Sequence, residues 1–512
     1  MASAACSTDF TPAASFAPQS CSVDDDCGDA SAGLVCELTG TGAAAKPACV
    51  KATDAPLIIG ESAPVSGTNQ ALGTEMKLGI ELAFKEANTA GGVRGRQLQL
   101  DFRDDAYQPD LAEMAARSLL DVQTTKAMPR CPSTGTALTT DTTPISMTRL
   151  DRGPNAVLAI LGDMGTPTTM RSAPVTIETG TVFFGAFTGA STLLRDDDVT
   201  AGPDCGKFIF NYRASYAQEA QATMEYFKHL GITNFHNMIS FDQSDSFGQA
   251  GYDGMVAAYK NTNGSFPTTT DSTTPIYRVR YDRNDDTSVP AQVTMVEMHL
   301  ADLLNAQSGP LTVGIMMTDT YGAATEFIQQ LRTWQWAAPQ QTTLQAATRL
   351  TLQFSNVSFV GANTLSDRLV ALGKVPLSGN AAGFTDNVVI SQVVPNYQDD
   401  TSDVVKAYNT LIANNDDKPS FVSLEGYIAA RVFIAGLLIH TGPFTASSIV
   451  DSLEALPDLG LGLGATSGFQ TPAGQSPNHQ YSSTVWGTKL NSDGTFQNLY
   501  FWSVGIPIQF PE

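Results

Sequence analysis

The feature that most constrains this chain is an alternation of short apolar runs with amphipathic helical stretches, which begins at Pro56 and restarts near Tyr216. Residues 57–59 (Leu-Ile-Ile) read as a buried strand, and Gly60-Glu-Ser-Ala-Pro-Val-Ser-Gly67 after them is loop chemistry. Met76, Ile80, Ala83, Phe84 and Ala87 recur at helical spacing until Gly91-Gly92 stops them. Strands are predicted at 98–102, 157–161 and 181–185, with helices after Pro109 and Pro167. That βαβα order specifies a parallel sheet with helices on both faces. A second round follows 208–211: helices at 216–230, 247–259, 293–304 and 323–334, and strands at 235–240, 277–281, 311–316, 357–360 and 388–394. Helices at 403–412 and 423–439 and strands near 485–490 and 499–502 complete it. One sheet of this length is less economical than two doubly wound ones, so the fold class is α/β with two sheets. Residues 126–156, rich in Thr, Ser and Pro around Cys131, read as a surface insertion.

Charge and cysteine usage narrow the setting. The formal net charge is −22, which argues against nucleic acid and anionic membranes as partners. No run reaches the ~18 uncharged apolar residues of a membrane span, so no transmembrane segment is expected. Five of the seven cysteines (Cys6, Cys21, Cys27, Cys36 and Cys49) fall in the first 49 residues. Dense cysteine among Gly, Ala, Ser and Asp reads as a disulfide-stapled module of an exported protein. Zinc is the rival reading, but the cysteines show no C-x2-C knuckle. Cys21, Cys27, Cys36 and Cys49 supply two bridges of open connectivity, and Cys6, after small residues, suits a lipid attachment site. Cys131 and Cys205, alone in the α/β body, are expected to pair.

Catalytic and cofactor motifs are missing. The five histidines form no H-E-x-x-H, and Asp282-Arg-Asn284-Asp-Asp286 lacks the Gly and Glu of a calcium loop. There is no phosphate loop and no G-x-S-x-G elbow, so no cofactor and no enzyme activity is expected. Instead, polar and glycine-rich segments gather at the carboxyl ends of predicted strands: 62–67, 104–107, 162–169, 187–191, 242–247 and 318–321. In open α/β sheets ligands bind at that edge, where helix N-termini offer free N–H groups.

Several of these segments carry a family resemblance. Ile58-Ile-Gly-Glu-Ser-Ala-Pro-Val-Ser-Gly67, Ala71-Leu-Gly73, Ala87-Asn88 with Gly91-Gly92-Val-Arg-Gly95, and Asp104-Asp105 resemble the leucine/isoleucine/valine-binding class of type I periplasmic solute-binding proteins of ABC importers. Phe184-Gly-Ala-Phe-Thr-Gly-Ala190, Phe210-Asn-Tyr-Arg-Ala-Ser-Tyr216, Asp245-Ser-Phe-Gly248, Gln392-Val-Val-Pro395 and Ser420-Phe-Val-Ser-Leu-Glu-Gly-Tyr427 continue the likeness collinearly over about residues 56–440.

The resemblance implies two lobes joined by a hinge of three crossings, near 212–216, 386–396 and within 440–485. The expected division is a Cys-rich segment at 1–54, a first lobe of 55–213 plus about 390–445, and a second lobe of 214–389 plus about 480–512. It implies a non-enzymatic, periplasmic or extracellular protein that captures a small organic solute between the lobes for an ABC permease. A sensory or surface recognition module on the same fold is the alternative. By the same resemblance Gly165, Thr166, Thr168, Phe187, Thr188 and Gly189 face the ligand from the first lobe, with Ser66 on the loop after the first strand. Tyr216, Phe247, Asp319 and Tyr321 face it from the hinge and second lobe. Arg213 with Glu219 and, separately, Glu425 read as structural charges. Gly165 and Phe247 stand where relatives that bind amino acids carry hydroxyls, so a carboxylate or amide with an apolar body is expected ahead of a free amino acid. Asp319 would pair with an amine.

Overall fold

The computed structural model describes residues 19–28, 33–40, 44–122, 125–127, 148–190, 208–267, 274–337, 340, 343–373, 383–464, 467–469 and 479–511. Cys6, Cys131 and Cys205 lie outside the described residues, and so do the lipid anchor and the bridge expected of them.

A small module comes first. Strands β1 (Leu34–Thr39) and β2 (Lys46–Lys51) form an antiparallel pair, stapled by bridges Cys21–Cys36 and Cys27–Cys49. Its core is too small to hold it alone, and it leans on the body that follows. Arg94 donates to Asp24 at 2.8 Å and Arg96 pairs with Glu37, while both guanidinium groups stack on the Phe444 ring.

The alternation then builds the first lobe: β3 (Leu57–Ala63), α1 (Gln70–Thr89), β4 (Leu98–Asp104), α2 (Pro109–Leu119), β5 (Ala159–Leu161), α3 (Thr166–Thr179), β6 (Val182–Phe184) and β7 (Ile209–Phe210). Its five parallel strands lie in the order β4-β3-β5-β6-β7. The second lobe repeats the pattern with α4 (Tyr216–His229), β8 (Met238–Gln243), α5 (Ser246–Asn263), β9 (Tyr277–Tyr281), α6 (Val289–Ala306), β10 (Leu311–Thr318), α7 (Tyr321–Trp336), β11 (Leu350–Asn356), α8 (Ala362–Leu372) and β12 (Val388–Gln392). Helices α9 (Asp403–Ala413), α10 (Phe421–Leu438) and α11 (Ala446–Glu454) follow. Strands β13 (Val485–Leu490), β14 (Phe496–Ser503) and β15 (Ile506–Gln509) then extend the second sheet antiparallel, giving β9-β8-β10-β11-β12-β13-β14-β15.

Counted within each lobe, the parallel strands run 2-1-3-4-5 in both sheets. That doubly wound order places a crevice where the first and third strands diverge, at their carboxyl ends. Both lobes therefore open their switch points onto the same junction.

Helix α10 is long and apolar enough to cross a membrane by length and composition, yet it is a core helix. It lies along α1 so closely that a Cβ on Gly79 would stand 2.0 Å from the Ser423 carbonyl oxygen, and one on Gly426 would stand 2.5 Å from that of Met76. The two glycines are what allow the backbones to touch.

The chain passes between the lobes where three segments run together. Asn211 pairs in parallel with Gln480, Ser482 N donates to the Tyr212 carbonyl at 2.9 Å, and the Tyr212 hydroxyl reaches the Val393 carbonyl at 3.5 Å. Two expectations need correcting. The strand expected at 357–360 is β11, seven residues earlier in its start, and Ser358–Val360 is a 3-10 turn. Helices α8 and α11 were not anticipated at all.

Candidate functional site: the junction between the lobes

Four rings fill the centre of the junction, two from each lobe. Phe359 stands in the 3-10 turn after β11, with ring centroids 5.9 Å from Tyr107, 5.2 Å from Phe187 and 4.6 Å from Phe247. Tyr216, at the first turn of α4, lies 5.2 Å from Phe247. All five are at most 1% exposed. Tilted ring pairs at these distances add to the gain from burying their area. The Arg213 guanidinium sits 5.0 Å from the Phe187 ring and 5.8 Å from that of Tyr216, a cation facing two π-systems.

Each ring has a local reason for its place. Phe187 follows β6, whose end bridges to the loop after β5 through Met164 and Phe187. Asp245 caps α5, accepting from Phe247 N at 2.9 Å, and this fixes the start of the helix that carries Phe247. Tyr107 holds φ +58°, a left-handed conformation that a tyrosine adopts only under constraint. Asp105 supplies the constraint by accepting from Tyr107 N at 2.8 Å. Gly165, at φ +91°, lets that ring in, because a Cβ there would stand 2.2 Å from it.

Polar groups surround the rings. The Thr166 and Thr188 hydroxyls are 2.7 Å apart and buried. Thr168 donates to the carbonyls of Met164 and Gly165, so its proton is committed to backbone. The Gly189 carbonyl accepts from Tyr216 N at 2.8 Å, which ties the first lobe to the start of α4. Helices α3 and α7 open without a side-chain cap, leaving N–H groups at the junction.

Direct bonds hold the lobes together here. The Tyr321 hydroxyl, at the start of α7, donates to the Thr68 carbonyl at 2.5 Å. Asn69 donates to Asn284 at 2.8 Å, and Asn284 and Gln243 each donate to Tyr107 at 3.3 Å.

The structure thus brings Gly165, Thr166, Phe187, Thr188, Gly189, Tyr216, Phe247 and Tyr321 to one junction, with Thr168 one turn into α3. It does not bring Ser66 there: that residue is exposed, and its hydroxyl bonds the Asp104 carboxylate. Asp319 lies at the same edge of the second sheet, fully buried. One of its oxygens accepts from Asn356 at 3.0 Å, and the other, like the Asn356 carbonyl oxygen, has no partner among the described residues. Burial pushes its carboxyl well above the usual range. Phe359 and Asn356 were missed by sequence reasoning, and Tyr107 and Gln243 were not singled out within the marked segments 104–107 and 242–247. Tyr107 closes the polar segment 104–107 that the sequence marks, whereas Phe359 carried no signal distinct from a strand.

Two doubly wound lobes, three adjacent crossings and a junction lined from both sides define a hinged, two-lobed binding-protein architecture. The sequence model of a family described as periplasmic binding protein matches residues 56–143 and 154–495, and the chain belongs to that family. It is similar to the solved structure of a possible leucine/isoleucine/valine-binding protein from Rhodopirellula baltica SH 1, at 28% identity and TM-score 0.63, over 86% of this chain and 96% of that one. At 14% identity it shares the fold of a solute-binding protein of an ABC transporter from R. palustris in complex with benzoate, with TM-score 0.58 over 90% and 98% of the two chains. Among curated proteins, Leu/Ile/Val-binding protein homolog 2 of Brucella abortus (strain 2308) is 42% identical over 55 residues. That stretch is 11% of this chain and spans only 15% of the relative's length.

Proposed function

We propose that this is a non-enzymatic solute-binding protein that works outside the cytoplasm, closes its lobes on a small organic solute and presents it to an ABC permease. The observation that carries the reading is the junction itself, where rings from both lobes meet hydroxyls and uncapped helix starts. A ligand held there would displace ring–ring contacts and be covered on both sides, the arrangement a hinged binding protein needs. The two bridges of the N-terminal module support an oxidising compartment.

On this reading Phe187, Phe247, Phe359 and Tyr107 cover an apolar body. Thr166, Thr188, Tyr216 and the N–H groups of α3 and α7 receive a carboxylate or amide end. Gly165 and Gly189 keep the first-lobe wall low enough for the rings, and Tyr321 latches the lobes. Thr168 steadies the loop, and Ser66 belongs to the rim. A second reading has a specific observation behind it. The unpartnered oxygens of Asp319 and Asn356 suit an ammonium donor, which would make the solute an amino acid.

A thermal-shift panel separates these. Benzoate, hexanoate and benzamide are compared with leucine and valine, since a ligand at ~100 times its Kd stabilises the native state by ~2.7 kcal/mol. The carboxylates or the amide should raise the melting temperature. A rise with leucine or valine alone would move the solute to the Asp319 reading. No rise with any of them, and no small molecule carried through purification, would contradict the binding-protein reading.

A further inference from the structure

Beside the rings, the hinge buries three charged side chains, one from each body that meets there. Arg213 lies on the first crossing, Glu219 on α4 of the second lobe, and Glu425 on α10, which packs on the first lobe. Their side chains are 1%, 0% and 4% exposed. Glu219 is saturated. It accepts from Arg213 Nη2 at 3.0 Å, from Ser358 N at 2.7 Å, from Ser358 Oγ at 2.9 Å and from Ser391 Oγ at 2.5 Å. These donors come from the first crossing, the turn bearing Phe359 and β12, so Glu219 is welded to the second lobe and the hinge.

Glu425 is held far more loosely. Its cationic partner among the described residues is Arg213, whose Nη1 lies 3.4 Å away and, like Nε, makes no hydrogen bond. One guanidinium therefore faces two buried carboxylates. Burial raises the Glu425 carboxyl to about 7, with Arg213 lowering it and Glu219 raising it.

Tyr212 and the titratable groups on the helices packed against α10 are engaged elsewhere. Tyr212, on the first crossing, is a neutral phenol pushed further up by burial and by Glu425. On α1, Glu75 bonds Ser420 and Thr364, and Glu86 bonds Tyr427 and faces Arg431. Tyr408 of α9 bonds Ser423, and Glu454 of α11 bonds His479. Burial first, then Arg213 and Glu219, thus decide the state of Glu425.

We propose that Glu425, Arg213 and Glu219 form a proton-operated latch: closure of the lobes takes up a proton on Glu425, and loss of that proton favours opening. In the closed arrangement an ionised Glu425 is a second buried negative charge against a single guanidinium that Glu219 already holds. Opening would part α10 from α4 and the 358–360 turn and let water reach the carboxylate, returning it towards its ordinary range. The closed state then binds the proton more tightly, and one such proton shifts the opening equilibrium by at most about tenfold per pH unit as pH falls from 7 towards that range. The latch would make solute capture stronger in a mildly acidic medium and release easier in a neutral one.

The proposal rests on the hinged binding-protein reading only in taking closure as the solute-holding state, and its test needs no solute. Small-angle X-ray scattering of the unliganded, full chain at pH 5.5 and pH 8.0 is compared with that of Glu425→Gln, which is permanently uncharged there. The wild type should be more expanded at pH 8.0 than at pH 5.5. The variant should keep the compact dimensions at both. Should Glu425→Gln fail to fold by circular dichroism, Glu425→Met, of similar length and also uncharged, takes its place. A wild type whose dimensions do not depend on pH, or a variant that expands as the wild type does, would overturn the latch. A failed solute panel would leave this measurement unaffected.

Discussion

The two lobes share one strand order and meet at one junction, yet most of their buried carboxylates are partnered differently. In the second lobe Asp242, on β8, receives Arg278 at 2.7 and 2.8 Å and Arg280 at 3.1 Å. Asp245 likewise meets Arg283 at 3.1 Å. In the first lobe Asp105 and Asp163 have no arginine among their described partners. Asp105 accepts from Ser62 Oγ at 2.8 Å and from Tyr107 N, and Asp163 accepts from Ser62 N at 2.7 Å. Glu61, on β3, is fully buried, and neither of its oxygens has a hydrogen-bond partner among the described residues. Burial raises Asp105 to about 6 and Asp163 to about 7, and pushes Glu61 well above its ordinary range. Hydrogen-bond donors alone orient a carboxylate without neutralising it. The first lobe therefore carries protonatable carboxyls where the second pairs Asp242 and Asp245 with arginines, and Asp319, held by Asn356 alone among the described residues, is the second lobe's exception.

Breaking an ion pair should produce the larger effect. Asp242→Ala leaves Arg278, whose side chain is 10% exposed, without its carboxylate, and should cost about 3 kcal/mol in urea unfolding at pH 7. A cost below about 1 kcal/mol would show that the pairing matters little. The first lobe should answer to pH instead. A carboxyl whose folded pKa lies above its unfolded value binds its proton more tightly in the fold. Its stabilisation is full below about pH 4 and is lost as pH rises through the folded pKa, here towards 6–7. Stability should fall between pH 5 and pH 7 by up to ~1.4 kcal/mol per pH unit for each such group. Asp163→Asn, which keeps an acceptor for Ser62 N, should remove one group's share of that slope. An unchanged slope would show that Asp163 is not among the titrating groups.

The alternation of strands and helices was legible because each strand run is short, apolar and followed by turn residues, and the second round begins at Tyr216 with a capping box from Ser215. The loops that meet at the junction were legible for the same reason: Thr166, Thr188 and Phe247 sit at helix starts or strand ends. Phe359 was not. Val357-Ser-Phe-Val360 alternates like a strand, and only the register of β11 against β10 shows that pairing has ended by Asn356. The place of Tyr107 depends on a left-handed backbone that no spacing rule reveals. Ser66 was assigned by position in a loop, and the bond to Asp104 that turns it outward is a tertiary fact.

On the proposed function, solute is held among the rings where the lobes meet. The most direct test of that placement is isothermal titration of the strongest binder from the panel against the wild type, Phe247→Ala, and Phe235→Ala as a control, whose ring packs on Tyr259 and Phe266 away from the junction. Affinity should fall at least about tenfold in Phe247→Ala, the loss of ~1.4 kcal/mol expected for one buried ring face, and stay within about twofold in the control. Equal affinity in the wild type and Phe247→Ala would place the solute elsewhere and contradict the account.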